Sequence, residues 1–73
     1  MSDVSPELEV FVNGQPRRVP NGSTVADLLV AMAMKPAQVA VERNKHIVRR
    51  VDHGATCLEA GDRLEVVTFF GGG

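Results

Sequence analysis

Cysteine occurs once in these 73 residues, tryptophan and tyrosine do not occur, and phenylalanine occurs three times. A single thiol cannot close an internal disulfide, which fits a reducing cytosol. So few aromatic residues leave the core to aliphatic side chains. No apolar run approaches the ~20 residues that a membrane helix needs. The opening MSDVSPE is polar and acidic rather than a signal peptide, so residues 1–7 read as a disordered leader and the cytoplasm as the location. An excess of positive charge is missing too. Eight Lys and Arg against nine Asp and Glu give a net charge of −1, without the basic footprint of a nucleic-acid binder.

What is present suffices for one small domain. Hydrophobic residues make up 44% of the chain, enough to fold. A chain of this size buries only about 60–65% of its unfolded surface. Its core is modest and has no room for a buried active site of several residues.

The segment LEVFVNGQPRRV carries the clearest local signal. Leu8, Val10 and Val12 alternate with Glu9 and Phe11, the period of a strand. Asn13-Gly14 supplies the two left-handed residues of a type I′ hairpin turn. The return strand spans about 15–19. Pro16 lacks an N–H, which places that strand at a sheet edge. In STVADLLVAMAMKP, Thr24 and Asp27 stand at capping-box spacing. Val25, Leu28, Leu29 and Met32 form one apolar stripe, a core face rather than a cofactor box. Pro36 is expected to end this helix of about ten residues near Met34. A helix so short needs a sheet to pack against.

QVAVERNKHIVRR reads as strand, turn, strand, with Val39 and Val41 inward and Asn44 in the turn. VDHGATCLEAGD reads as mostly irregular, with Leu58 plugging the core and Gly61-Asp62 turning into a final strand, RLEVVTFF. Both faces of that strand carry apolar residues, which suggests a central strand covered on one side by the helix. The order is β-β-α-β-β-β, an α+β fold with one helix on one face of a mixed sheet. Parallel pairing of the first and last strands has the long crossover it requires.

Side-chain chemistry is sparse. His46 and His53 read as surface residues; either could ligate a metal, but with one Cys a zinc site would need carboxylates to complete it. Cys57 reads as a small, partly buried apolar residue beside Leu58, with no arrangement of His and Asn or Asp to activate it. Arg43, Lys45, Arg49 and Arg50 read as a solvated face, with an acidic docking partner as the second reading. No Gly-rich phosphate loop lies between a strand and a helix.

The tail remains. The sequence ends in FFGGG, either an inert end or a working one. Three residues reach about 10 Å, and without Cβ atoms they fit channels that exclude any side chain. Ordering them costs roughly 3–6 kcal/mol, so glycine is a poor choice for tight binding alone. A terminal Gly73 carries an α-carboxylate at neutral pH. Transfer of AMP from ATP would make it electrophilic; a sulfur nucleophile would then give a thiocarboxylate, an amine an isopeptide. Both routes need a partner enzyme.

A β-β-α-β-β-β chain with this ending resembles the β-grasp sulfur carriers and ubiquitin-like proteins, and most of all the ThiS family of thiamine biosynthesis. The matching stretches are VNGQ, STVADLL, VAVERNKHIV, LEAGDRLEVV and FFGGG, and the resemblance covers residues about 8–73. The 1–7 leader is longer than the family's compact start and is the one departure from it; the resemblance implies an 8–70 β-grasp domain and a flexible 71–73 tail. It implies a carrier that is not itself an enzyme and holds no cofactor. An E1-like adenylyltransferase of the ThiF type spends ATP on Gly73, and a sulfur donor such as a cysteine desulfurase supplies the sulfur. A thiazole synthase of the ThiG type accepts it. Gly71 and Gly72 form the thin stalk. Phe69 and Phe70 stand where the family has apolar residues before the glycines, one expected in the core and the other partly exposed for docking. The alternatives are the small subunit of molybdopterin synthase, another ubiquitin-like sulfur carrier, a protein modifier and an inert module.

Overall fold

Alternation in the first strand does turn one face inward. In the computed structural model, which describes residues 6–69, β1 (Glu7–Val12) buries Val10 and Val12 and half-buries Leu8, while Glu9 stays exposed. It pairs antiparallel with β2 (Gln15–Pro20), Val12 opposite Gln15. Asn13 and Gly14 have φ of 51° and 83°, the two left-handed residues that a type I′ turn requires. The five strands run β2-β1-β5-β3-β4, so β2 is an outer strand, where Pro16 forfeits no ladder bond to a further neighbour.

Helix α1 (Val25–Ala31) begins at the expected capping box. Thr24 Oγ1 accepts from the Asp27 N–H at 3.2 Å, and Asp27 Oδ2 accepts from the Thr24 N–H at 2.9 Å. The helix has seven residues, not the expected ten. It ends before Pro36 acts, because Ala33 turns left-handed at φ 59°. The Ala33 N–H then bonds to the Val30 carbonyl at 3.0 Å and the Met34 N–H to the Leu29 carbonyl at 2.9 Å. That pair of bonds is a Schellman stop, formed here without glycine. Met32 caps the helix and half-buries against the core.

A short 3₁₀ turn (Pro36–Gln38) leads into β3 (Val39–Arg43), which buries Val39 and Val41 as expected. Asn44 and Lys45, at φ 51° and 73°, turn the chain into β4 (His46–Val48), antiparallel to β3. The stretch expected to be irregular contains a 3₁₀ turn, Arg50–Ala55.

Two expectations for that stretch are corrected. His53 is not a surface residue; it is buried beneath β4. One of its ring nitrogens, Nε2, lies 3.2 Å from the Val48 carbonyl. A carbonyl only accepts, so Nε2 carries the proton, and Nδ1 has no partner among the described residues. Cys57 is exposed rather than partly buried. Residues 56–58 run extended beside 23–25: Val25 N–H bonds to the Thr56 carbonyl and Leu58 N–H to the Ser23 carbonyl. Side chains alternate along such a strap, so Leu58 entering the core turns Cys57 to solvent.

Strand β5 (Arg63–Thr68) lies at the centre, parallel to β1 and antiparallel to β3. Val10, Val12, Val41, Leu64 and Val66 from the sheet meet Val25, Leu28 and Leu29 from the helix, with Leu58 closing the cluster. The core is aliphatic, as three phenylalanines dictate. No helix among the described residues is long and apolar enough to cross a membrane.

Candidate functional site: the carboxyl end of the last strand

The glycines follow β5 in sequence, so what fixes β5 fixes the point from which the chain runs on to them. Each hairpin grips this strand with the asparagine that opens its turn. The Asn44 N–H bonds to the Arg63 carbonyl at 2.7 Å, and Asn44 Oδ1 accepts from the Arg63 N–H at 2.9 Å. On the other side, the Asn13 N–H bonds to the Leu64 carbonyl at 2.8 Å. The Asn13 side chain then reaches one ladder step further. Its Oδ1 accepts from the Val66 N–H at 2.8 Å and its Nδ2 donates to the Val66 carbonyl at 3.1 Å. A side-chain amide has the donor and acceptor of a peptide group, so Asn13 stands in for the next residue of β1 after the chain has turned away.

The start of β5 is locked by charge. Asp62 is buried and accepts from Arg43 Nε at 2.7 Å, Asn44 Nδ2 at 3.1 Å and the Glu59 N–H at 2.8 Å. Burial pushes its carboxyl up, but these three donors and the guanidinium charge outweigh that and hold it below the usual carboxylate range. Arg43 therefore does not belong to a solvated basic face. Lys45, His46, Arg49 and Arg50 remain exposed there, next to an exposed Ile47.

At the other end, β5 leaves the domain with apolar side chains in solvent. The face of the sheet away from α1 carries Val67, 57% exposed, beside Ala40, its partner in the register. Phe69 follows, 62% exposed, with its N–H held by the Gln38 carbonyl at 2.9 Å. Two phenylalanines are expected to divide between core and surface; the structure speaks only to Phe69, which is exposed. Phe70, Gly71, Gly72 and Gly73 lie outside the described residues, as does most of the 1–7 leader; β1 begins at Glu7. Among the described residues no group of His, Cys, Asp or Glu is placed to hold a metal ion.

The model of the ThiS family matches residues 10–73. The chain belongs to the ThiS family. Two solved structures of a thiamine biosynthesis protein (ThiS) from Geobacter metallireducens are similar. The crystal structure superimposes with a TM-score of 0.77 at 33% identity, covering 90% of this chain and 100% of that one. The solution structure gives 0.71 at 35%, covering 90% and 88%. The fold is thus the β-grasp of the ThiS family, with the mixed sheet and single helix expected of it. Two curated relatives are named thiazole synthase. The one from Magnetococcus marinus is 42% identical over 66 residues, and the one from Paramagnetospirillum magneticum 36%. The alignment takes in 90% of this chain but only 20% of either relative, so this ThiS-family chain spans about one fifth of their length.

The sequence places Asn13 and Asn44 in their turns but does not tie them to β5. The signal available is the amide itself: glycine also tolerates a left-handed turn but has nothing with which to reach a neighbouring strand.

Proposed function

We propose that this chain is a sulfur carrier for thiazole formation in thiamine biosynthesis, and that its reactive group is the carboxylate of Gly73. A partner adenylyltransferase of the ThiF type attacks ATP with that carboxylate, forming an acyl adenylate and releasing pyrophosphate. The terminal sulfur of a donor persulfide, as on a cysteine desulfurase, attacks the acyl adenylate and displaces AMP to give an acyl disulfide. A thiol reductant then cleaves the S–S bond, releasing the donor cysteine and leaving a thiocarboxylate. Thiazole synthase takes the sulfur, and the carboxylate returns. The chain is a protein co-substrate in this scheme. ATP belongs to the partner, and Gly71 and Gly72 let the end enter a channel too narrow for side chains.

The observation that carries this reading is the family match, which runs through residue 73 and so takes in the glycines. The curated thiazole synthases favour thiazole over a pterin as the destination, since part of each is similar to this chain. The exposed Val67 and Phe69 suit docking beside the tail, a role we extend to Phe70. Adding one residue after Gly73 tests the scheme. It moves the carboxylate by about 3.5 Å and gives it a side chain. Sulfur loading is expected to fall to background while the thermal midpoint stays unchanged; normal loading of the extended chain contradicts the proposal.

A further inference from the structure

Strand β5 is paired along its whole length on one side only. Its register with β3 runs from Arg43↔Leu64 to Val39↔Thr68, and Phe69 continues it through Gln38. Its register with β1 stops at Val12↔Leu64, and the Asn13 side chain takes Val66. Main-chain groups in a strand point alternately to either neighbour. The N–H of Phe69 points to β3, while those of Leu64 and Val66 face β1 and Asn13. The N–H and C=O of Thr68 therefore point to the β1 side, past the place where β1 has turned back into β2. Thr68 is exposed, and no strand of the described residues stands opposite it there.

We propose that this open edge, centred on Thr68 and bounded at one end by Asn13, is a docking edge to which an extended segment of thiazole synthase adds as a strand. The inference rests on the function proposed above and names how that partner is held. Strand addition takes its affinity from main-chain hydrogen bonds and its specificity from neighbouring side chains. Both are present: the Thr68 groups, which no strand of the described residues takes up on this side, lie in the sheet plane, and Ala40, Val67 and Phe69 offer an apolar surface on the face beside them. The position suits the task. A partner strand here aligns end to end with β1 and fixes the direction of β5 immediately before the tail. The partner is chosen because curated thiazole synthases contain a region similar to this domain within their own chain. Asn13 is a positioning residue in this arrangement, since it ends the β1–β5 ladder two residues short of Thr68.

The test uses Thr68→Pro in the full chain, with Thr68→Val as control. Proline removes an N–H that the domain's own ladder does not use, at a position where sheets tolerate it. The Pro variant is expected to stay folded, to be loaded with sulfur normally by the adenylyltransferase, and to bind unloaded thiazole synthase about tenfold more weakly or worse. The Val variant is expected to bind like the parent. Should Thr68→Pro not fold, ligation of a synthetic segment at Cys57 gives a chain with an ester in place of the Thr68 amide. The ester deletes the donor without a ring and weakens only the Val67 carbonyl, a group that faces β3 and not the open edge. Parent-like binding by the folded Pro or ester chain overturns the inference. So does an equal loss with Val, or a loss confined to the adenylyltransferase. Absence of sulfur loading in the parent chain, followed separately by mass, would count against the function and not against the edge.

Discussion

The side-chain amide of Asn13 is bonded to both main-chain groups of Val66, 53 residues away in sequence. One residue thereby closes the first hairpin, with φ at 51°, and ties it to the strand that carries the tail.

Substitution at Asn13 separates these two roles. Asn13→Gly keeps the turn but loses both bonds, and is expected to cost about 2 kcal/mol. Asn13→Ala loses the bonds and also places a Cβ in the left-handed region, adding about 1 kcal/mol. For a domain of this size each kcal/mol lowers the thermal midpoint by about 4–8 °C. Thermal melts of both variants check the order, Ala below Gly below the parent. An Ala variant as stable as the Gly variant would show that the turn is not under this constraint.

Asp62 makes stability depend on pH in a definite direction. Its carboxyl is held below the usual range in the folded protein, so the unfolded chain binds the proton more tightly. The stabilisation is present above the ordinary carboxylate pKa of about 4 and is lost as pH falls through the folded value. Asp62→Asn is expected to destabilise at neutral pH by about 2–3 kcal/mol, because the Arg43 guanidinium, about a quarter exposed, loses its counter-charge. Denaturant unfolding from pH 7 to 2 should show the gap between the Asp62→Asn variant and the parent narrowing towards the acid end. A gap independent of pH would contradict the assignment.

The Cys57 thiol is exposed and stands apart from the proposed chemistry. Cys57→Ser is expected to change stability by less than about 0.5 kcal/mol. It should leave sulfur loading of the tail intact, as intact mass would report. Loss of loading in a folded Cys57→Ser chain would show that the thiol takes part.

Much of this architecture is legible in the residues because local chemistry and tertiary need agree. Asn13-Gly14 demands a hairpin, Thr24 and Asp27 demand a helix start, and the central place of β5 follows from valines on both of its faces. The misreadings fall where a tertiary contact decides. The stop of α1 at a left-handed Ala33 has no propensity signal, and Pro36 is the more visible cue. Loop composition puts His53 at the surface, yet the 3₁₀ turn that carries it folds under β4. Cys57 and Leu58 cannot both point inward from an extended strap, and nothing local says which one does. The grip of Asn13 and Asn44 on β5 joins residues distant in sequence, so spacing alone cannot reveal it. The proposed site is legible as the FFGGG ending; its apolar surround at Ala40 and Val67 needs the register of β3 against β5.

The central claim is that the chain's own carboxyl end carries sulfur. The measurement that tests it most directly is the intact mass of the protein after incubation with ATP, its adenylyltransferase and a sulfur donor. Replacement of one oxygen by sulfur is expected to add about 16 Da, mapping to the peptide that ends in Gly73. An unchanged mass with an active adenylyltransferase, or a gain that maps to Cys57, would contradict it.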